Sequence, residues 1–268
     1  MSGYRIHSPL GVGPHGTVHR ATADRLGARP VALRHLPLPA GPARARLRRD
    51  AELIASLGHP GLAIVSDVVD VDDETVAVAS TLGTHGTLAD RRRLGHLPVD
   101  EAVRVMRAVA DAIESAHGLG LVHGRVSATN VLFTDDGPVV GDLVHAAALG
   151  MREAPTTDAA AVVHLAASLV DPDDRFPRAT AYRAVCRWSA ESDASVRGFL
   201  AALQRLDHLA VGDAKAALPP AGTAPAVCAP PPLDRSTAFG LVAGVSLGVG
   251  AVVGAVATWL PAVASVLR

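Results

Sequence analysis

The strongest constraint on this chain lies near its C-terminal end. Residues 236–267, STAFGLVAGVSLGVGAVVGAVATWLPAVASVL, carry no ionisable acid or base. About 20 apolar residues suffice to cross a bilayer as a helix. In water, Gly240, Gly244, Gly248, Gly250 and Gly254 would weaken such a helix, and no polar face is present to keep it soluble. The segment is therefore read as a transmembrane helix over 236–267. Asp234 and Arg235 precede it, Arg268 follows it, and Trp259 lies toward one end, where amphipathic aromatics favour the interface. Gly240, Gly244 and Gly248 share one helix face at a spacing that lets a second helix approach closely, so self-association is a candidate property. The plainer reading is that Gly is simply frequent in this chain.

Ahead of the span, residues 213–235 are rich in Pro and Ala and form a juxtamembrane linker that cannot sustain a helix. Cys228 lies in it and reads as an idle thiol before an acylation site. The two cysteines are too few for a disulfide framework and fit a reducing compartment. No apolar signal region opens MSGYRIHSPLGVG, so the soluble part is expected in the cytoplasm, held at the cell membrane by a single span. Arg235 and Arg268 balance across that span, so charge alone does not set its orientation. Net charge is −1 and the isoelectric point about 6.9, which gives no electrostatic footprint for nucleic acid. Aromatic residues are only 3% of the chain, so its core must rest on Ala, Val and Leu.

Residues 1–212 divide by pattern. Up to about residue 80, short β-like runs dominate: TVHRA, RPVALRHL, LAIVSDVV and TVAVAS. One helical stretch interrupts them, PARARLRRDAELIASL, with Leu47, Ala51, Ile54 and Leu57 at helical spacing. Beyond Leu97 the pattern is mainly helical, and PVDEAVRVMRAVADAIESAHGLG ends on Gly118 and Gly120, residues that stop helices. A β-rich lobe of about 1–80 followed by an α-rich lobe of about 84–212 defines an α+β class.

LGVGPHGTVHRA places Gly11, Gly13 and Gly16 as GxGxxG, with Val18 following. Dinucleotide-binding folds share that pattern, but here another β-like run follows instead of a long helix. VALR comes next, at residues 31–34. Together these resemble a protein kinase, whose glycine loop covers nucleotide phosphates and whose next strand reads V-A-I-K. The resemblance continues in order over about residues 4–205. RRDAELIASLGHPGLAIVSDV resembles the helix and His-Pro turn that follow, and STLGTHGTLAD the hinge. LVHGRVSATNVLF lies where H-R-D-x-x-x-x-N belongs, VVGDLVHA where D-F-G belongs, and TTDAAAVVHLAASLV is similar to the Asp-led helix of the second lobe. The chain is most similar to the eukaryotic-like Ser/Thr kinases of bacteria. SDASVRGFLAALQRL matches the last kinase helices faintly.

The resemblance implies a two-lobed kinase-like fold with a reduced C-lobe. It implies a nucleotide site at Gly11, Gly13, Gly16, Val18, Ala32, Arg34, Asp50, Ser80 and Leu82, and Mg2+ ligands at Asn130 and Asp142, with ATP and Mg2+ weakly bound. Arg125 stands where the family's loop Asp takes the substrate proton. A guanidinium is permanently protonated and cannot be a general base, so no catalytic residue is expected. Gly124 and Ser127 depart from the family's Arg and Lys. Arg34 replaces the strand Lys, and Asp50 replaces its helix Glu. An Arg34–Asp50 pair and a surface Asp50 beside Arg48 and Arg49 are equally compatible with the sequence. Leu143 and Val144 replace Phe and Gly, which stiffens that turn. LVHAAALGMREAP is short for an activation segment and offers no Ser, Thr or Tyr before Thr156. His123 is read as structural. The 12 histidines show no metal-binding spacing, and RARLRR and the Arg91–Arg93 run read as solvated helix faces that could meet an acidic partner or lipid headgroups.

The leading expectation is a membrane-anchored pseudokinase that acts as a signalling or scaffolding module for an unknown protein partner. One alternative is a weakly active Ser/Thr kinase recruiting Asp135 or Asp136, although FTDDGP reads more simply as a strand turn. Another is a scaffold that binds no nucleotide.

Overall fold

The first lobe is a curled antiparallel sheet in the order β1-β2-β3-β5-β4. Its strands are β1 (Tyr4–Gly13), β2 (Gly16–Ala23), β3 (Arg29–Pro37), β4 (Val65–Asp70) and β5 (Thr75–Ser80). The structure is a computed structural model and describes residues 3–13, 16–24, 27–144 and 153–206. These belong to one compact unit, Met1–Ala224. The linker with Cys228, the apolar span with its glycine ladder, and residues 145–152 after the D-F-G position lie outside the described residues. Among the described residues no helix is long and apolar enough to cross a membrane.

β1 and β4 are the two edges of the sheet, yet Tyr4 Oη donates to Asp67 Oδ2 at 2.8 Å across them. The sheet therefore curls enough for side chains from its two edges to touch. A small cluster of Ala21, Ala23, Val31, Leu33, Ala77 and Ala79 fills one side, with Tyr4 packed against it. Small side chains suit that tight curvature, as the low aromatic content requires.

Between β3 and β4 runs α1 (Pro42–Leu57), opened by a Pro in its first turn and closed by Gly58 at φ 59°, the left-handed position that favours glycine. The RARLRR stretch on this helix is solvated only in part: Arg46 and Arg49 are exposed, whereas Arg44 and Arg48 turn inward. Arg44 is 6% exposed. Its guanidinium donates to the carbonyls of Leu38, Asp72 and Asp73 and to Asp70 Oδ1. Arg48 donates to the Val68 carbonyl and to Asp70. The long aliphatic stems bury while the charge is consumed by carbonyls and one carboxylate.

A six-residue helix, α2 (Leu88–Arg93), follows the connecting segment, and Thr87 and Asp90 form a reciprocal capping box at its start. The Arg91–Arg93 run is also only partly solvated. Arg91 lies 3.6 Å over the Phe133 ring and pairs with Glu101. The long α3 (Val99–Gly118) buries Ala102, Val103, Val105, Met106, Val109, Ala110, Ala112, Ile113 and Ala116. A short 3₁₀ turn, Ala128–Asn130, leads into the hairpin β6 (Val131–Thr134) and β7 (Gly137–Val140). Three helices complete the second lobe: α4 (Pro155–Ala167), α5 (Pro177–Glu191) and α6 (Val196–Arg205). One apolar core runs from Leu36, Leu47 and Val76 through α3 to Phe199 and Leu203.

Candidate functional site

The register of the first sheet gathers most of the sequence-predicted nucleotide residues on one face. Val18 pairs with Arg34, Arg34 with Val78, and Ala32 with Ser80. Directly opposed residues and residues two apart share a face, so Val18, Ala32, Arg34 and Ser80 stand together. Leu82 follows β5 and is buried. The glycine segment forms the β1–β2 hairpin, where Gly11 pairs with Val18 and Gly13 with Gly16. Gly16 has φ 103°, and a Cβ there would lie 1.8 Å from the His35 carbonyl oxygen. That strand crossing tolerates only glycine.

Arg34 reaches across the cleft. Its Nη2 donates to both Asp142 oxygens, at 2.7 and 2.6 Å. The Arg34–Asp50 pair does not form, and Asp50 is not a surface acid either. Asp50 is 5% exposed, and its ion-pair partner is Arg49 Nε at 3.9 Å. Burial raises its pKa, against the pull of Arg49 and Arg46. The reason is geometric: Asp142 turns its carboxylate toward the strand by adopting φ 64°, a backbone region costly for a non-glycine residue. The positive φ thus falls on the Asp itself. Leu143 and Val144 are helical and buried, so the position where the family has Gly needs no left-handed conformation here.

The loop between α3 and β6 is held from below by Asp158 of α4. The Asp158 carboxylate accepts the His123 amide at 2.8 Å, the Gly124 amide at 2.7 Å and His117 Nε2 at 2.8 Å. Burial would raise the Asp158 pKa, but the His117 bond and the His123 and Gly124 amides outweigh it and hold the carboxyl below its ordinary range. Gly124 sits at φ 70°, which fits glycine where the family has Arg. His123 is fully buried. Its Nδ1 accepts the Arg125 amide at 3.2 Å, so its Nε2 carries the proton and donates to the Gly141 carbonyl at 2.8 Å. Burial lowers the His123 pKa despite Asp158, the Gly141 carbonyl and Asp142, so the ring stays neutral.

Asn130 ties the loop to the turn after β7. Its Nδ2 donates to the Arg125 carbonyl at 2.9 Å, and its own carbonyl accepts the Gly141 amide at 2.7 Å. Arg34, Asn130 and Asp142 therefore meet around one cleft, with the Arg125 backbone one side chain away. Arg125 is half-buried, and its side chain makes no hydrogen bond or ion pair among the described residues. Asp135 and Asp136 occupy the β6–β7 turn. Asp135 is held by His85 Nε2 at 2.7 Å, and its side chain is 81% exposed. Four-residue strands at roughly 3.3 Å per residue put that turn on the order of 10 Å from the loop. Sequence reasoning did not single out Asp158 or Arg44. Asp158 was visible only as the acid leading a helix, and the fate of Arg44 depended on carbonyls distant in sequence.

A curled sheet over a helical lobe, with a glycine hairpin and an Asn- and Asp-bearing loop facing across the cleft, defines a kinase-type domain. The profile of the protein tyrosine and serine/threonine kinase family matches residues 4–164. The chain belongs to that family. It is 32% identical over 142 residues to the probable serine/threonine-protein kinase pknA2 of Bifidobacterium longum, covering 51% of this chain and 19% of that protein. It is 30% identical over 147 residues to the serine/threonine-protein kinase PksC of Streptomyces coelicolor, covering 51% and 26%. To the serine/threonine-protein kinase PknF of Mycobacterium tuberculosis it is 33% identical over 141 residues, covering 50% and 29%. The match thus spans less than a third of each of these relatives.

Proposed function

We propose that this chain is a pseudokinase: a kinase domain that binds nucleotide in its cleft and acts by recognition rather than phosphoryl transfer. One observation carries the reading. The loop framework is intact, with His123, Gly124 and Asn130 bonded to Asp158, Gly141 and Arg125, yet the position of the proton acceptor holds Arg125. Loss of a positioned base costs roughly 10²–10⁴ in rate. The residues aligned on the β2–β3–β5 face support nucleotide contact. A nucleotide bridging that face and the loop would favour one arrangement of the lobes, and so one partner surface. The apolar sequence of 236–267 supports a single membrane anchor, and the glycine ladder supports association of two anchors. The alternative of a weakly active Ser/Thr kinase draws no support from Asp135, which pairs with His85 at a distant turn.

The test uses the full chain in detergent. ATP should raise its melting temperature, which a scaffold that binds no nucleotide would not show. Phosphate incorporation by the wild type should be at background and equal to that of Asp142→Ala. Robust transfer abolished by Asp142→Ala would refute the pseudokinase reading. Membrane fractionation of the full chain against a version ending at residue 235 tests the anchor, which should be lost with the deleted segment.

A further inference from the structure

The family uses ATP with Mg2+, but the donor set in this cleft does not fit a Mg2+ ion. Asp142 is the carboxylate on which such a site would depend. Arg34 Nη2 engages both of its oxygens, at 2.7 and 2.6 Å, and each side chain is only 18% exposed. Charge-assisted bonds of this kind are strong. Mg2+ requires oxygens at about 2.0–2.1 Å in near-octahedral array, and it would have to approach a carboxylate edge already occupied by a cation. Asn130 offers one amide oxygen, since its Nδ2 is committed to the Arg125 carbonyl at 2.9 Å. Among the described residues no group of three or more His, Cys, Asp or Glu is placed to hold a metal ion.

Arg125 has the opposite character. The residue is half-buried and its side chain has no hydrogen-bond or ion-pair partner among the described residues, a state that favours uptake of an anion. Its backbone is tied through Asn130 to the residue before Asp142. The Arg34 guanidinium therefore stands at Asp142, and the Arg125 backbone borders the same loop. Arg34 is fixed by Asp142, and among the described residues the Arg125 side chain has no partner.

We infer that the cleft takes the polyphosphate of a nucleotide in its metal-free form, with Arg34 and Arg125 in place of Mg2+, and that divalent metal opposes binding. This rests on the nucleotide-binding reading above. Mg2+ acts against the complex twice. In solution it neutralises part of the polyphosphate charge that the guanidiniums attract, and at the site it competes with Arg34 for Asp142.

Calorimetric titration of the full chain with ATP, in EDTA and in excess Mg2+, decides the matter. The Kd should be about tenfold lower in EDTA, and inorganic tripolyphosphate should compete. Arg125→Ala should raise the EDTA Kd by roughly tenfold or more, the usual effect of deleting a bond to a charged group. Asp142→Asn should retain binding in EDTA, because Arg34 remains. Circular dichroism checks that both variants are folded. A Kd equal or lower in Mg2+, with Asp142→Asn abolishing binding, would overturn the inference and leave the nucleotide site standing. An unchanged EDTA Kd in Arg125→Ala would overturn the role of that residue. No binding of ATP in either buffer by folded protein would refute the nucleotide site itself, and the inference with it.

Discussion

Asp158 is wholly buried and still favours its charged form, because three donors converge on one carboxylate. Removing it would leave the His123 and Gly124 amides without an acceptor in the interior. Asp158→Ala should therefore destabilise the domain by about 3–5 kcal/mol in urea denaturation. The pH dependence follows from the sign of the shifts. A carboxyl held below its ordinary range stabilises the fold above about pH 4 and loses that contribution as pH falls through its folded value. His123, also lowered, stabilises fully above about pH 6.5 and progressively less below it, since the unfolded chain takes up the proton first. Stability should thus decline from near pH 6.5 downward, with a further acid step below about pH 4, and proton NMR should find His123 neutral at pH 6.5. Asp50 has the opposite sign. Its burial raises its pKa, so the ionised form is disfavoured at neutral pH, while the penalty vanishes at acid pH. Asp50→Asn should raise the melting temperature at pH 7 by roughly 2–4 °C, the shift about 1 kcal/mol gives in a domain of this size, and should leave it unchanged near pH 3. At this scale the sequence located His123, Asn130, Asp142 and Arg125 by spacing. It could not choose a partner for Arg34, because that choice depends on the φ of a residue 108 positions away.

The helix α1 is held by a device that neither sequence reading of Asp50 included. Instead of a pair between Arg34 and Asp50, Arg44 and Arg48 fasten its first turns to the end of β3, to β4 and to the β4–β5 turn. Arg44→Ala strips several carbonyls of a buried donor and should lower stability by about 2–4 kcal/mol. Hydrogen exchange should accelerate along α1 more than along α3, and equal acceleration in both helices would argue against a local anchor. The β1–β2 hairpin makes a second demand. Gly16→Ala must move the His35 carbonyl or abandon φ 103°, so it should weaken nucleotide-dependent stabilisation as well as the fold. Periodicity revealed α1, α3 and the strands from β2 to β5, since apolar spacing is a local property. It did not reveal that Arg44 and Arg48 of RARLRR are anchored inward, because long cationic side chains read as solvated until the carbonyls they reach are known.

Across the whole described unit, the two lobes share one framework. Gly61 and Ala63, in the connection from α1 to β4, exchange backbone hydrogen bonds with Val140 of β7, at 2.8 and 2.9 Å. Leu62, 3% exposed between them, belongs to the same core cluster as Val140 and Ala112. A β-rich and an α-rich half were legible in the sequence as a change of period. Their fusion was not, because it passes through main-chain bonds that any side chains could make. Shared backbone bonds and an uninterrupted apolar core make unfolding of one lobe expose the other, which is the condition for an all-or-none transition. In a Trp259→Phe background, fluorescence of Trp188 in α5 and far-UV circular dichroism should report a single coincident urea transition. Leu62→Ala, a large-to-small change in that core, should lower both midpoints together by about 2–4 kcal/mol of stability. Two separated transitions, or a Leu62→Ala effect confined to the dichroism signal, would mean that the lobes fold independently. Nucleotide in the cleft could then not be read through the second lobe by lobe arrangement, and a partner surface would have to lie on the first.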